Sequence, residues 1–410
     1  MLISMYTVNL KAMFIWNANI AFLLLFPGFF FYQSMIGLGI IPALLGGYFG
    51  IVALLVFPLT SAGFVYLNKK RKTNYTIIDY VFFSVVVLTI FISLTNYSLG
   101  TPSNYSVDML KWSLSGLLFN LVTYFLANTI SFDSKLFKLL VVGSVGVMAL
   151  IVFYNIGAYG IFYLKAEDAN SEHVATYQGF ARSLAVVGLL SVAILQNKKK
   201  SFLIFLLTSA ALFFNGARTE FVLFFVSYIS LLVYLSTRSV RRMFVVLMLL
   251  IAGTIVFAVN LEILLALLPS NRMLQLVDIG SSTSGMARIQ YALAALETIS
   301  NNPLLGDYGS YVNFGGVGSY SHNLLSAWVN LGLFGFSLYV FAILMVTKGL
   351  VMVVLRMKPK TTEERVMFVF AVFTILALIV AKDYSYMLFG MMIGFYSRAR
   401  YSYNKAMVRM

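Results

Sequence analysis

The sequence predicts an all-α polytopic membrane protein of about 12 transmembrane helices, and three observations predict it. The chain is 60% hydrophobic and only 10% charged, against about 25% charged in a soluble domain, and its mean hydropathy is +0.90. Its apolar runs are continuous and about 20 residues long, unlike the short alternating strands of a β-barrel. Lysine and arginine fall in short clusters between these runs, as topology signals do.

The runs lie near 12–32, 35–67, 77–96, 108–130, 138–157, 178–196, 201–216, 219–236, 243–264, 323–347, 365–381 and 385–397. No small-residue cleavage site follows the first, which reads as a retained helix. The second is too long for one straight span at about 1.5 Å rise per residue. Pro42 and Gly46-Gly47 are expected to break or tilt it within a single crossing. The ninth run is followed by the only long hydrophilic stretch, 269–322. A single bundle over 1–410 is therefore expected, with a large loop over 265–322.

The net charge of +15 does not point to nucleic acid, because the basic residues sit at the ends of apolar runs. Lys69-Lys70-Arg71-Lys72, Lys135 with Lys138, Lys198-Lys199-Lys200, Arg238 with Arg241-Arg242, 356–360 and the 398–409 tail share one side. That side is expected to be the cytoplasm, with both termini on it. Seven basic residues are left on the other side: Lys111, Lys165, Arg182, Arg218, Arg272, Arg288 and Lys382. Snorkelling explains one such residue; several beside a long polar loop point to an anionic ligand. The absence of cysteine excludes a disulfide, a thiolate nucleophile and a Cys-ligated metal.

Asn215-Gly216-Ala217-Arg218-Thr219-Glu220 joins two spans in a tight helical hairpin. Gly216 suits a helix C-terminus. Arg218 offers a planar cationic fork that fits phosphate oxygens. Residues 286–299 read as an amphipathic helix with Ile289, Ala292, Leu293 and Leu296 on one face, headed by Arg288 and stopped by Pro303 and Gly306. Tyr308, Tyr311 and Tyr320 provide flat faces for sugar rings, among glycines that allow a lid to move. Ser321-His322-Asn323 then opens the next helix, with Ser321 or Asn323 as its cap. A histidine at a helix N-terminus is biased toward its neutral form, which accepts a proton from a sugar hydroxyl. His173 sits in a carboxylate-rich loop, but no second histidine lies at metal-ligand spacing. No Walker loop, dinucleotide fingerprint or Asp-x-Asp pair is present. No metal and no cofactor are therefore expected.

In combination these pieces resemble the bacterial O-antigen polymerase and O-antigen ligase superfamily. The matching residues are Gly216-Ala217-Arg218-Thr219, Arg288 heading its helix, Asn302-Pro303-Leu304-Leu305-Gly306, Ser321-His322-Asn323-Leu324-Leu325 and Asn330-Leu331-Gly332-Leu333-Phe334-Gly335. The resemblance covers 205–340 and is only topological before that. It implies a GT-C-like, metal-independent, inverting glycosyltransferase of the bacterial inner membrane. Its site opens to the periplasm, and its substrate is an oligosaccharide on undecaprenyl diphosphate. It implies Arg218 and Arg288 on the lipid diphosphate and His322 near the acceptor hydroxyl. Arg182, Arg272, Tyr308, Tyr320 and Asn323 are the expected substrate-binding residues around them. A chain-length regulator protein and membrane lipids are the expected partners.

Of the readings this leaves, polymerase stands first. The outer loops lack a strongly basic platform for a phosphorylated lipid A core, which the ligase reading would want. A flippase for the same lipid-linked sugars would show internal repeats and charges near the midplane; the unusual arginines instead lie toward one face.

Overall fold

The computed structural model describes residues 9–42, 47–71, 75–99, 104–156, 162, 177–236, 248, 283–316, 321–355 and 361–408. The run 243–264, Lys165, His173, Arg272 and Tyr320 lie outside the described residues. The rest is a helical bundle, and eight of its helices are long and apolar enough to cross a membrane. Helices also occupy the expected runs from 201, 365 and 385. They carry charges at their ends, and the eight do not include them.

The first helix, α1 (Leu10–Gly37), is α-helical except for a π-helical turn over Leu24–Gly28. Pro27 lies inside that turn and has no N–H to close the normal ladder. Tyr48 Oη donates to the Leu24 carbonyl at 3.1 Å, taking up an acceptor in the widened turn. The helix stops in a Schellman motif: the Gly39 N–H bonds the Ile36 carbonyl and the Ile40 N–H the Met35 carbonyl, both at 2.9 Å. Gly39 sits at φ 70°, and Pro42 follows, as such an ending favours. This corrects the expected crossing over 35–67. Residues 35–37 complete α1, and the second crossing, α2, is Tyr48–Arg71.

Next come α3 (Ile77–Leu99), α4 (Asn104–Thr129), α5 (Lys135–Tyr154), α6 (Tyr177–Ile194), α7 (Lys198–Asn215) and α8 (Arg218–Ser236). The hairpin between α7 and α8 forms as expected, with Gly216 left-handed at φ 77°. Ser134 caps α5 and Asn197 caps α7 through their side chains. Beyond the next undescribed stretch follow α9 (Thr283–Asn301), a single turn over Val312–Gly315, α10 (Leu325–Leu355), α11 (Thr362–Val380) and α12 (Leu388–Val408). Thr361 and Glu364 close a reciprocal capping box at the start of α11, so two orphan N–H groups are satisfied.

Helix α6 lies at the centre, buried on almost every side from Phe180 to Ile194. Gly188 admits Thr208 and Phe224 from α7 and α8; a Cβ there would lie 2.6 Å from Thr208 Cγ2. The closest approach in the bundle is α12 against α4. Gly390 and Gly394, four apart, face Asn120 and the Tyr124 carbonyl with no room for a Cβ. Such small-residue spacing lets backbones meet in a membrane, where packing replaces the hydrophobic drive. Side chains of α4 also dress the start of α12. Asn120 donates to the Ser385 carbonyl and accepts from the Gly390 N–H, each at 2.9 Å, and Thr123 donates to the Met387 carbonyl at 2.7 Å. Gly390→Val is therefore expected to lower the detergent melting temperature by roughly 2–5 °C, since overpacking costs about 1–3 kcal/mol. An unchanged melting curve would contradict this packing.

The two ends of the bundle differ in character. At one, Arg398 donates to the Ile130 carbonyl and lies 3.5 Å from Glu363. Arg365 donates to the carbonyls of Leu195 at 2.6 Å and Val192 at 3.2 Å, capping the end of α6. Asp79 accepts from Thr76, Tyr124 and Ser397 within 3.0 Å. This end carries Lys135 and Lys198–Lys200, as helix parity expects. The opposite end gathers Arg218, Arg288, His322 and Lys382.

Candidate functional site

The site forms where four segments meet: the start of α8, helix α9, residues 321–325, and the 381–387 connection between α11 and α12. Their positions follow from a broken helix. Within α10, Gly332 adopts φ 66° and ψ −175°, which interrupts the helix. The segment after α9 docks into that break. The Leu333 N–H bonds the Leu304 carbonyl at 3.0 Å, and the Asp307 N–H bonds the Val329 carbonyl at 2.7 Å. Trp328 Nε1 donates to the Pro303 carbonyl at 2.8 Å. Gly306, at φ 71°, lies against the backbone of Trp328 and Val329, and Gly332 against that of Leu304 and Leu305. Two stretches singled out in the sequence, 302–306 and 330–335, are therefore the two halves of one interlock. The Val329 carbonyl, freed by the break, thereby finds a partner inside the protein, as irregular backbone within an apolar helix requires.

This interlock carries α9. Its inner face, Ala295 and Ile299, packs on Val329, while Met286, Ile289, Leu293 and Leu296 are exposed. The expected amphipathic helix is thus present and runs from Thr283 to Asn301. Arg288, near its start, is exposed. Asn323 is the cap of α10: its Oδ1 accepts from the Leu325 N–H at 2.9 Å and from Ser321 Oγ at 2.7 Å. An expected substrate-binding residue is thus engaged in capping.

His322 is half-buried between α9 and the 381–387 connection. Its Nδ1 lies 3.2 Å from the Ala381 carbonyl, which can only accept, so Nδ1 carries the proton in the neutral ring. The basic nitrogen is then Nε2. The Tyr291 ring lies 6.2 Å away. Burial pushes the imidazole below its ordinary range, the hydrogen bond to Ala381 opposes this, and the positive charges of Arg288 and Lys382 lower it further. The neutral form expected from the helix N-terminus is favoured here chiefly by desolvation.

Lys382 follows Ala381 and points to α8. Its Nζ lies 2.7 Å from Glu220 Oε1, and the side chains are only 15% and 3% exposed; the Tyr386 ring lies 5.7 Å from Nζ. Glu220 is in the first turn of α8, two residues after half-buried Arg218, where the helix dipole also favours its negative charge. Glu220 of α8 therefore meets Lys382, the residue after the Ala381 carbonyl that His322 approaches, and the charges of Lys382 and Arg288 both act on the imidazole. The sequence showed Lys382 only as a cation on the unexpected side. No local pattern announces its partner 162 positions away.

Arg182, in the second turn of α6, stands in a different setting. Its guanidinium lies 5.3 Å from the Phe49 ring and 6.0 Å from Phe29. Tyr308 is tied to α4, its Oη 2.5 Å from Ser113 Oγ. Asp383 and Tyr384, adjoining Lys382, are buried. Burial raises the Asp383 carboxyl, and hydrogen bonds from Ser385 hold it back. The 381–387 connection is anchored by the Tyr384 N–H to Ser326 Oγ at 3.0 Å and by Tyr339 Oη to the Tyr384 carbonyl at 3.2 Å.

Chemically, the arrangement offers several cations beside a neutral imidazole at one end of a membrane bundle. It can hold a polyanion with guanidinium and ammonium groups while a neighbouring nitrogen takes a proton. Among the described residues, no three His, Cys, Asp or Glu side chains cluster as a metal site. If Nε2 takes a proton in turnover, the rate falls only at a pH below the usual histidine value of about 6.5, because the His322 shift is downward. An acid limb above that value would remove His322 as its source. The same shift makes the unfolded chain bind the extra proton first, so His322 contributes stability above about pH 6.5 that is lost on acidification.

No protein-family model matches the chain, and no curated protein matches it.

Proposed function

We propose that this membrane protein is an O-antigen polymerase. In this reading it joins oligosaccharide repeat units carried on undecaprenyl diphosphate at the periplasmic face of the inner membrane. The observation that carries the reading is His322 set against the Ala381 carbonyl, next to Lys382, with Arg218 heading the helix that holds Lys382 through Glu220. Sequence resemblance to the polymerase and ligase superfamily supports it.

The chemistry balances without a cofactor. The acceptor hydroxyl attacks the anomeric carbon of the lipid-linked chain as the bond to the diphosphate oxygen breaks, with inversion. The hydroxyl proton passes to His322 Nε2, and the lipid diphosphate leaves with its negative charge. Arg218 and Arg288 stabilise the charge growing on that leaving group, where preorganised cations contribute most. Arg182, Arg272, Tyr308 and Tyr320 serve the flanking lipid and sugar. A chain-length regulator is the protein partner of this reading, and the membrane holds both lipid substrates.

Gene deletion with analysis of the glycans tests it. Single repeat units on the lipid A core and no ladder are the polymerase outcome. Long chains on the lipid carrier with a bare core would give the ligase. Arg218→Ala and Arg288→Ala are expected to reduce polymer by at least about 100-fold, the scale of losing a transition-state charge contact. Lipid-linked single units should still reach the periplasm; their retention in the cytoplasm would overturn the enzyme reading in favour of export.

A further inference from the structure

Beneath α9, next to His322, lies a small cavity of about 20 Å³. This is room for one or two water-sized groups. Its wall is mainly apolar, from Ala294, Ala295 and Val329, with the polar side chains of Thr298, Ser310, Tyr311, Ser321, Ser326 and Asn330 among its lining residues. Tyr291, whose ring is 6.2 Å from the His322 ring, also lines it, so cavity and imidazole share a wall.

Most of these polar groups are already engaged. Thr298 donates to the Ala294 carbonyl at 2.9 Å, Ser321 to Asn323 Oδ1, and Ser326 to the Asn323 carbonyl at 2.8 Å. Asn330 donates to the Ser326 carbonyl and accepts from the Gly309 N–H. Tyr311 differs. It is only 7% exposed, and its hydroxyl has no hydrogen-bond partner among the described residues. Leaving a hydroxyl buried and unpaired costs about 1–3 kcal/mol. Tyr311 is also held in place: it packs edge-on against Trp112, and Tyr308 beside it is fixed to Ser113. Tyr311 thus brings to the cavity wall an immobilised ring whose hydroxyl has no partner among the described residues.

We propose that this cavity is a sugar subsite that takes one hydroxyl or hydroxymethyl group of the ring held at His322, with Tyr311 as its hydrogen-bonding partner. The inference rests on the glycosyltransferase reading and adds to it a residue that selects among sugars. The small volume suits a hydroxyl or hydroxymethyl group. Tyr311 sets the preference, because a sugar lacking that oxygen gives its hydroxyl no partner.

The test uses the purified full-length chain in detergent and a set of methyl hexopyranosides as probes, each compared with its 2-, 3-, 4- and 6-deoxy forms. Binding is read by saturation-transfer NMR titration. Loss of one particular hydroxyl should weaken binding about tenfold, the scale of one neutral hydrogen bond, while loss of the others changes it little. In Tyr311→Phe that difference should vanish. Ala294→Leu, which fills the cavity from α9 without removing any hydroxyl, should abolish it as well. Retained melting temperature identifies variants that are folded, and the wild-type series decides the matter should both unfold. Equal binding of all deoxy forms, no binding of any glycoside, or an intact preference in folded Tyr311→Phe would each overturn the subsite. The outcome is separable from the polymerase reading. A deletion strain with normal glycans beside a selective cavity would sink the reaction and leave the sugar site standing; missing polymer beside an indifferent cavity would do the reverse.

Discussion

Gly332→Ala should leave little folded protein and no product. At φ 66° and ψ −175° the residue occupies backbone space that is essentially reserved for glycine, and a side chain there costs about 1–3 kcal/mol in strain alone. The new Cβ would also run into the Leu304 carbonyl and the Leu305 backbone. Neither can yield, because both belong to the segment that closes on the break. Either α10 straightens and expels 302–306, or the variant fails to fold. In the first case α9 loses its seat on Val329 and Arg288 leaves His322. The expected readouts are a melting temperature lowered by at least a few degrees and, on the proposed function, loss of polymer in cells. Gly306→Ala, on the other half of the interlock, should reproduce both. A Gly332→Ala protein with wild-type melting and activity would mean that the interlock does not hold α9.

The second large effect concerns the Glu220–Lys382 pair. Glu220→Ala leaves a mostly buried ammonium without its counterion, and breaking such a pair from one side typically costs about 3–5 kcal/mol. Glu220→Ala with Lys382→Met should recover much of that stability, because a hydrophobic pair of similar bulk is often neutral or better. Activity should separate from stability. If the proposed reaction holds, the double variant is expected to fold yet lose at least tenfold in turnover, since His322 is hydrogen-bonded to the residue before Lys382 and the proposed diphosphate loses a neighbouring cation. A double variant with wild-type turnover would show that the pair only braces the fold. A double variant no more stable than Glu220→Ala would show that the cost lies elsewhere.

The elements themselves were legible because each is a run of apolar side chains bounded by charge, glycine or proline. The hairpin at Gly216 and the extent of α9 could be read from local residue types. The second crossing was misplaced because hydropathy alone does not register Gly39. A Schellman ending is invisible inside an unbroken apolar run until its hydrogen bonds are known. In the site, Arg218, Arg288 and His322 stood out as polar residues in the wrong company. Lys382 stood out only as a cation on the unexpected side and Glu220 only as the end of the hairpin motif, because what makes them informative is each other, and one residue is distant in sequence from the other. Tyr311 passed as one aromatic among several. Its significance comes from a hydroxyl with no partner among the described residues, a property of packing and not of sequence. The pairing of 302–306 with 330–335 was hidden for the same reason: glycines mark a close approach but do not name what approaches.

The capping of early helices by late ones sets an order on synthesis. Helix α6 ends in carbonyls that are taken up by Arg365, Ile130 after α4 waits for Arg398, and the groove along α4 is closed by Gly390 and Gly394. All of these partners belong to the last fifty residues. A ribosome that has delivered the first three hundred and fifty has therefore placed the central helices in the membrane with their polar ends still open. The bundle cannot lock from its N-terminus forward; it is sealed from its C-terminal end, after α11 and α12 arrive. A chain stopped after α10 should accordingly be long enough to insert and yet be recognised and degraded as unfinished.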